Sequence, residues 1–406
     1  SGKQTMNNEI AVVGGGAAGM MAAIAAAERG ARVTLLEPNE RLGKKLNITG
    51  KGRCNVTNNC SMEELLANIP RNGRFLWSAF SRFNAQDAMA FFEELGVPLK
   101  TERGNRVFPV SDRASDIIDA LFLWVRRTGV SIVHASVSDL VMQDGRVTGV
   151  IIESKSGREV IACRVLIDAT GDGDIAARAG APFFKGREED GKMQPVTIMF
   201  KVAGVDTERA VFPGGFEENP MVPAGPIQDV GRAHLPFPAG HVLLYRTSLP
   251  GVVTCNMTNC IGIDGTDPAD MTRATLVCRM QMEAMIPFLQ TYVPGFERCY
   301  LISSASILGV RETRHFLGEA TITREDILTA RVFDDWAVTR AHFNFDVHNL
   351  TGNGLDDTGA QKHFRQTRGY TIPYGCLVPR KIENLLLAGR DICGTHMAHS
   401  NYRVMP

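Results

Sequence analysis

Three glycines near the N-terminus have a spacing that suits dinucleotide binding. Gly14, Gly16 and Gly19 follow the apolar run Ile10–Val13 in the pattern G-x-G-x-x-G. The first glycine permits a tight turn, the second lets the backbone approach a pyrophosphate, and the third lets a helix pack closely on a strand. The N-terminus of the following helix offers unpaired N–H groups to phosphates. The pattern therefore predicts a dinucleotide site.

A carboxylate and a basic loop follow at positions that such a site can use. Glu37 comes directly after a second apolar run, Val33–Leu36, and can accept hydrogen bonds from a ribose. The next segment, PNERLGKKLNITGKGRCNVTNN, is glycine-rich and basic. From this loop Lys45 and Arg53 can approach phosphates, while its small residues can lie beside a flat ring. We expect the loop to close over a second part of the nucleotide, and an ordinary polar connector is the alternative.

The segment THMAHSNYR, residues 395–403, holds side chains that suit proton transfer and anion binding. If it is helical, His396, His399 and Arg403 lie at i, i+3 and i+7 and share one face. Imidazole transfers protons near neutral pH, and a guanidinium binds a carboxylate through two hydrogen bonds. Arg311, in the segment GVRETRH, is a second candidate for fixing an anionic group. For both segments the alternative is a structural role, in packing or in an ion-pair cluster.

A sheet and its connections must bring these residues together. Residues 10–37 predict a strand, a glycine turn, a helix and a strand. Residues 61–129 have mostly helical patterns, and residues 131–168 predict a β-meander with a hairpin turn at Asp144-Gly145. The meander ends in a strand that returns to the main sheet.

The remaining chain predicts an insertion and a return. Residues 181–375 mix strand-like and helix-like pieces, which is typical of a substrate domain inserted between two strands of a cofactor-binding sheet. The segment ENLLLAGR, residues 383–390, predicts a last buried strand, and ligands of open α/β sheets bind at the carboxyl ends of strands. The predicted domains are 7–180 with 376–406, which bind the cofactor, and 181–375, which binds the substrate.

Together the first glycine motif, the ATG turn at residues 169–171 and the late LLAGRD strand resemble the two-dinucleotide-binding-domain flavoproteins. The resemblance implies an α/β fold, with a Rossmann-like FAD-binding domain that carries a β-meander and an inserted mixed α+β substrate domain. It also implies that the first glycine motif holds the ADP half of FAD and that the late strand meets the ribityl or pyrophosphate region. The resemblance and the position of the basic loop together imply a set of cofactor-binding residues. They are Gly14, Gly16, Gly19, Glu37, Lys45, Arg53, Cys54, Asn55, Val137, Ala169, Thr170, Gly171, Gly389 and Asp391.

Longer motifs resemble two subfamilies. Up to about residue 125, segments such as GKKLNITGKGRCNVTN and RNGRFLWSAFSRF look like the BaiN-like NAD(P)/FAD-dependent oxidoreductases. From about residue 165, segments such as GVRETR and THMAHSNYRVMP look like the FAD-dependent oxidoreductase family with the GVRETR signature. The sequence therefore predicts a mosaic that is joined within the meander. Both families continue past VMP into a small-residue helix near the flavin, and without that helix we expect weaker FAD binding.

The cysteines offer a rival chemistry. Cys54 and Cys60 follow the second strand, roughly where flavin disulfide reductases keep their redox pair, but five residues separate them where those enzymes have four. Cys255 and Cys260 have the expected spacing but lie in the predicted substrate domain. We expect Cys54 to be a small residue beside the flavin ring. No His, Cys and Asp cluster has a metal-ligand spacing, so no metal site is predicted.

The charge balance, hydropathy and cysteine content of the chain limit the classes of partner that it is expected to bind. Lys plus Arg and Asp plus Glu both number 44, so a basic surface for nucleic acid is not predicted. No apolar run is long enough to cross a bilayer, and nine scattered cysteines suit reduced thiols in a cytoplasmic protein. The expected partner is a small-molecule substrate.

The leading hypothesis is an FAD-dependent oxidoreductase. A hydride would pass between flavin N5 and a substrate carbon, with His396 or His399 exchanging a proton and Arg311 or Arg403 fixing an anionic group. NAD(P)H is a possible external reductant, although the sequence holds no second G-x-G-x-x-G motif. The alternatives are a flavin-dependent disulfide reductase and a non-catalytic scaffold that binds little flavin.

Overall fold

The structure is a computed structural model, and it describes residues 9–46, 53–54, 56–59, 61, 84–102, 105–247, 249–341, 343–355 and 368–403. The described chain divides into two compact units. Unit 1 contains the described residues within 9–184, 314–344 and 368–403, and unit 2 contains those within 185–313 and 345–355. Residues 314–344 thus belong to the unit of the N-terminal residues, whereas the sequence analysis placed them in the substrate domain.

The elements follow the chain in this order. The strands are β1 (Ile10–Val13), β2 (Val33–Leu36), β3 (Thr57–Asn58), β4 (Leu99–Glu102), β5 (Arg106–Pro109), β6 (Ser131–Val133), β7 (Ser136–Gln143), β8 (Arg146–Ser154), β9 (Gly157–Ala162), β10 (Val165–Asp168), β11 (Phe183–Lys185), β12 (Phe200–Ala203), β13 (Met221–Val222), β14 (Gly225–Pro226), β15 (Leu244–Arg246), β16 (Val253–Cys255), β17 (Tyr300–Ser304), β18 (Arg314–Phe316), β19 (Trp336–Ala341), β20 (Tyr370–Pro373) and β21 (Leu385–Leu387). The α-helices are α1 (Ala17–Glu28), α2 (Ala85–Glu94), α3 (Ala114–Arg127), α4 (Asp174–Arg178), α5 (Ile227–His234), α6 (Pro268–Tyr292), α7 (Arg324–Leu328) and α8 (His396–Tyr402).

Unit 1 is built on a five-stranded parallel sheet with the order β21-β10-β1-β2-β6. The central strand β1 pairs with β10 and β2, so that Val13 lies beside Asp168 on one side and Leu36 on the other. Its strands are short apolar runs, as expected for a parallel sheet that is covered on both faces. Buried residues of α1 and α3 share one apolar core with this sheet. The predicted α/β class is therefore confirmed.

The connections of unit 1 are partly as predicted. The antiparallel meander β7-β8-β9 is present, and its first hairpin turns at Asp144 and Gly145, which have φ angles of 49° and 76°. Positive φ at both positions is the geometry of a type I′ hairpin turn. The segment 61–129 contains α2 and α3, but it also contains the hairpin β4-β5, which extends a small sheet with β3. The mostly helical prediction missed this hairpin, because its strands are short and half polar.

Unit 2 contains a separate core. Its four-stranded antiparallel sheet has the order β15-β16-β12-β17. The 25-residue helix α6 begins at Pro268, directly after Asp267, whose side chain accepts the N–H of Ala269. Cys278, Met282 and Met285 of this helix are buried in the same core as Phe200 and Val253 of the sheet.

Candidate functional site

The glycine motif has the geometry that close ligand approach requires. Gly14 has a φ of 110°, and a Cβ there would lie 2.3 Å from the carbonyl oxygen of Ala169. A Cβ on Gly19 would lie 1.7 Å from the carbonyl oxygen of Gly14, so only glycine lets α1 pack at this point. Around a Cβ built on Gly16, by contrast, no described atom beyond the neighbouring residues of the chain lies within 4 Å. The first and third glycines serve packing, and the second faces open space.

Glu37 is held against this turn. Its side chain is buried, and its Oε2 accepts the N–H of Gly15 at 2.8 Å. Oε1 accepts two hydrogen bonds from Asn39, at 2.9 Å from the backbone and 2.7 Å from the side chain. These bonds fix the carboxylate beside the glycine motif at the carboxyl end of β2. Its contact with a ribose stays a prediction.

The ATG turn follows β10 and lies against the glycine motif. The N–H of Ala169 donates to the carbonyl of Val13 at 2.8 Å. Thr170 donates both its N–H and its hydroxyl to Oδ1 of Asp168, and Gly171 has a φ of 82°. Oδ2 of Asp168 accepts the N–H groups of two residues of α4, Ile175 and Ala176. The fully buried Asp168 therefore fixes the turn.

Arg390 is a residue that the sequence analysis missed. It follows Gly389, which has a φ of 97°, at the end of the last sheet strand. Its guanidinium donates to Oδ1 of Asp172 at 2.7 Å, and it lies 3.0 Å from where a Cβ of Gly171 would be. Lys45 lies near Arg390. The surrounding protein and the positive charge of Arg390 lower the pKa of the Lys45 amine, although the Lys45 side chain is accessible to solvent. In the sequence, the signal that could have identified Arg390 was its position directly after the glycine that follows the last strand.

Asp391 points the other way. It is buried, and among the described residues no N–H or hydroxyl group donates to either of its carboxyl oxygens. It faces the carboxyl group of Asp168, and burial together with that neighbour raises the pKa of Asp391 well above its usual range. Arg390 and Asp391 lie in the turn after β21, where Arg390 binds Asp172 and Asp391 faces Asp168. The assignment of Asp391 to the cofactor stays a prediction.

Other predicted cofactor residues have structural partners. Arg53 donates to Glu102 and Asp112, and its guanidinium lies over the ring of Phe108 at 4.1 Å. Cys54 is buried in the apolar core of unit 1 with a φ of 58°. Asn55 and Cys60 lie outside the described residues, so the predicted redox pair is not tested.

Val137 lies in β7, and its carbonyl oxygen accepts a hydrogen bond from Arg178 at 2.6 Å. That oxygen is therefore already bound within unit 1. A contact of the Val137 backbone with adenine remains a prediction.

Two of the C-terminal candidates, His396 and His399, lie on a helix, which is the condition that the sequence analysis set for their sharing a face. α8 begins after Thr395, whose hydroxyl accepts the N–H of Ala398, and Arg403 follows its last residue. His396 and His399 are both buried in unit 1. The helix is buried almost all round, so a single functional face does not distinguish these two side chains.

His315 is a further imidazole beside this helix. Its ring meets the ring of His399 edge to face at a centroid distance of 5.0 Å, and it stacks on Phe184 at 5.0 Å. His399 also contacts the ring of Tyr402 at 5.4 Å. The structure thus brings two buried imidazoles of unit 1 together from segments that are more than 80 residues apart in the sequence.

Arg311 lies in unit 2, where it donates to the carbonyl oxygen of Pro195 at 2.5 Å. Burial, with the charge of Arg311, lowers the pKa of His241 to about 4. Burial also raises the pKa of Tyr245 to about 12. With this lowered pKa, the imidazole of His241 is neutral at pH 7.

The sequence profile of a family described as FAD dependent oxidoreductase matches residues 9–406. The chain belongs to this family. FAD is therefore its cofactor, and the residues of unit 1 fit that cofactor. Gly16 leaves open space beside the first turn of α1, the Glu37 carboxylate is fixed beside the glycine motif, and Lys45 with Arg390 supplies positive charge at the carboxyl edge of the sheet.

Two curated relatives are similar over part of the chain. A 3-dehydro-bile acid delta(4,6)-reductase from Clostridium scindens is 37% identical over 127 residues, which cover 31% of this chain and 30% of that protein. A ribosomal RNA dihydrouridine synthase from Escherichia coli is 29% identical over 172 residues, covering 42% and 41%. The chain thus spans less than half the length of the curated relatives it matches.

Solved structures match parts of the chain at low similarity. The p-nitrophenol 4-monooxygenase PnpA from Pseudomonas putida is 12% identical with a TM-score of 0.42, covering 77% of this chain and 70% of that one. A geranylgeranyl bacteriochlorophyll reductase-like protein from Thermoplasma acidophilum is 14% identical with a TM-score of 0.42, covering 78% and 67%. In the described part of the chain, no helix combines the length and the apolar character needed to cross a membrane.

Proposed function

We propose that this FAD-dependent oxidoreductase transfers a hydride between flavin N5 and a carbon of a small anionic substrate. The observation that carries the proposal is the convergence of the glycine motif, the ATG turn and Arg390 at the carboxyl end of one parallel sheet. When bound, FAD supplies the two-electron chemistry, so the protein has to bind, orient and exchange protons.

The residues of unit 1 have distinct tasks in binding. The open backbone at Gly16 and the N-terminus of α1 receive the pyrophosphate, and Lys45 and Arg390 balance its charge. Glu37 receives the ribose hydroxyl groups. The hydrogen bond from Arg390 to Asp172 holds the guanidinium in place before the cofactor binds.

A buried imidazole is the proposed proton donor or acceptor. His399 and His396 both lie on α8, and His399 is positioned by the rings of His315 and Tyr402. Histidine suits this task because its unperturbed pKa lies near neutrality. Arg403, directly after the helix, would fix the anionic group of the substrate, and the role predicted for Arg311 stays a prediction.

The names of the relatives favour reduction of an activated double bond. One is called a reductase and the other a dihydrouridine synthase. For this chain we therefore propose NADH or NADPH as the external reductant, and the oxidation of a C–H bond would use the same residues in reverse. The first experiment is the release and identification of the bound cofactor, followed by anaerobic reduction with NADH and with NADPH. A protein that gains no flavin spectrum when FAD is added would contradict the proposal.

Replacement of His399 tests the proton transfer. His399→Ala should lower kcat by about 100- to 10,000-fold, the usual contribution of general acid–base catalysis, while the flavin spectrum is retained. His396→Ala distinguishes the two imidazoles. His234→Ala, at an exposed ring that stacks on Tyr292 in unit 2, is the control and should retain wild-type kcat. Full activity in both α8 variants would show that the proton is exchanged elsewhere.

A further inference from the structure

The GVRETR segment contains a second arginine, Arg314, whose side chain is mostly buried. Arg314 is the first residue of β18, which belongs to unit 1 together with the ATG turn and the last sheet strand. Only 13% of its side chain is exposed. Because a buried charge is costly unless it is paired, the contacts of this guanidinium indicate what it does.

Two hydrogen bonds join Arg314 to the segment after the ATG turn, which we call the DGD segment (Asp172, Gly173 and Asp174). Nη1 of Arg314 donates to the carbonyl oxygen of Asp172 at 2.8 Å and to Oδ1 of Asp174 at 2.6 Å. Among the described residues, no acceptor binds the buried Nε of Arg314. A single nitrogen, Nη1, therefore makes this attachment.

The ring of Phe316 contacts the same segment. Arg314 and Phe316 are two positions apart in β18, so their side chains leave the strand on one face. A Cβ on Gly173 would lie 2.0 Å from the ring of Phe316, so the backbone of the DGD segment lies directly against this ring. Two neighbouring side chains of β18 thus fix the DGD segment, one by charge and one by close packing.

The DGD segment in turn holds Arg390. The side chain of Asp172 accepts a hydrogen bond from Nη2 of Arg390 at 2.7 Å, while the backbone carbonyl of Asp172 accepts the bond from Arg314. The side chain of Arg390 is also mostly buried, with 15% exposed. Asp172 therefore joins two guanidinium groups through two different oxygen atoms, and a shift of its backbone would move the carboxylate that holds Arg390.

The bond to Asp172 leaves Arg390 able to bind an anion. A guanidinium carries five N–H donors in a planar fork, and this bond needs one of them. The orientation of the other donors depends on where the Asp172 carboxylate lies. A donor that is held in place before its ligand arrives loses less entropy on binding than a mobile one.

We propose that Arg314 is a positioning residue for the cofactor, which fixes the DGD segment so that Arg390 is oriented toward the pyrophosphate of FAD. Arg314 acts through Asp172 and Arg390 and makes no contact with FAD itself. The inference rests on the proposed function, in which Arg390 balances the charge of the pyrophosphate. It assigns a task to the second arginine of the GVRETR segment.

Two probes separate the phosphate contact from the rest of the ADP half. ADP carries the pyrophosphate, and adenosine lacks it. Ligand-observed NMR titration of the full chain, freed of FAD, gives both dissociation constants, and their ratio measures the preference for the phosphates. Arg314→Met should reduce this preference about tenfold by weakening ADP alone, since adenosine does not reach Arg390.

The conservative variant Arg314→Lys distinguishes positioning from a general loss of structure. One ammonium group can donate to both acceptors of Nη1, and the substitution also removes the buried Nε that lacks an acceptor. Arg314→Lys should therefore retain the preference for ADP to within about twofold of the wild type. If Arg314→Met does not fold, Asp174→Asn weakens the same attachment and should reduce the preference in the same direction.

A matched control is Arg331→Met in unit 1. Nη1 of Arg331 donates to Oδ1 of Asp326 at 2.9 Å, and 59% of the Arg331 side chain is exposed. Because exposed ion pairs contribute little, this variant should bind ADP and adenosine as the wild type does.

Arg390→Met separates a failure of the inference from a failure of the proposed function. It should reduce the preference for ADP at least as far as Arg314→Met does. An unchanged preference in Arg390→Met would contradict the proposed phosphate contact, and the inference with it. A reduced preference in Arg390→Met together with a wild-type preference in Arg314→Met would overturn the inference alone. Equal weakening of ADP and adenosine in Arg314→Met would also overturn it, because a purely structural role has that effect.

Discussion

At the scale of single residues, the pair formed by Asp168 and Asp391 has the clearest physical consequence. Asp168 accepts four hydrogen bonds from N–H and hydroxyl groups, and Asp391 accepts none from those groups of the described residues. Burial raises the pKa of both carboxyl groups, and the second carboxyl raises that of Asp391 further. The pair therefore holds a proton in the folded protein, and the proton belongs with Asp391.

This proton makes stability depend on pH. In the unfolded chain Asp391 loses its proton near pH 4, whereas in the folded protein it keeps the proton to a much higher pH. Above pH 4 the folded state thus binds more protons than the unfolded state, and stability falls as pH rises. Asp391→Asn removes the titrating group, and with it this loss of stability at high pH. We expect it to raise the unfolding temperature by about 2–4 °C at pH 8 and by less at pH 4.5.

The measurement is thermal unfolding of the apo protein at both pH values. Asp119→Asn is the control, because Asp119 is exposed on α3. An equal shift at both pH values would mean that Asp391 is ionised in the folded protein and that the pair shares no proton.

At the scale of elements, the joint between β1 and α1 separates packing from binding. Gly19 lies inside α1, where a Cβ would collide with the carbonyl of Gly14, whereas Gly16 precedes the helix and a Cβ there meets open space. The two glycines therefore serve the same motif for different physical reasons.

Two alanine substitutions distinguish these reasons. Gly19→Ala should lower the free energy of unfolding of the apo protein by about 1–3 kcal/mol, because the helix must move away from the strand. Gly16→Ala should leave apo stability unchanged and weaken FAD binding about tenfold or more, since its methyl group occupies the space that the cofactor needs. Chemical denaturation of the apo protein and calorimetric titration with FAD measure the two effects. A loss of apo stability in Gly16→Ala would contradict this division.

At the scale of the whole molecule, the chain has two separate apolar cores, one in each unit. The proposed cofactor residues Gly16 and Arg390 belong to unit 1. FAD should therefore stabilise unit 1 first, in proportion to its saturation.

Hydrogen exchange tests this expectation. FAD at 100 times its dissociation constant should add about 2.7 kcal/mol to the protection of the glycine motif and the ATG turn in unit 1. The separate apolar core of unit 2 should gain less protection than these segments. Equal protection of both units by FAD would contradict this assignment. The control is the Arg232→Met protein, changed at an exposed residue of α5, which should respond to FAD as the wild type does.

The sequence by itself determined the features that depend on neighbours in the chain. The spacing of Gly14, Gly16 and Gly19 defines a turn because only a few residues separate them, and the pair Asp144-Gly145 fixes its hairpin for the same reason. The apolar spacing of residues 112–128 likewise predicted a helix, and α3 spans Ala114–Arg127. Local backbone geometry is set by residue type, so it can be read from the sequence.

Only the tertiary structure decided which distant side chains meet. The pairing of Asp168 with Asp391 and the bond from Arg390 to Asp172 each join residues that are more than 200 positions apart, and both depend on the pairing of β10 with β21. Residue types give the available donors and acceptors, and the packing of the chain decides which of them are left for a ligand.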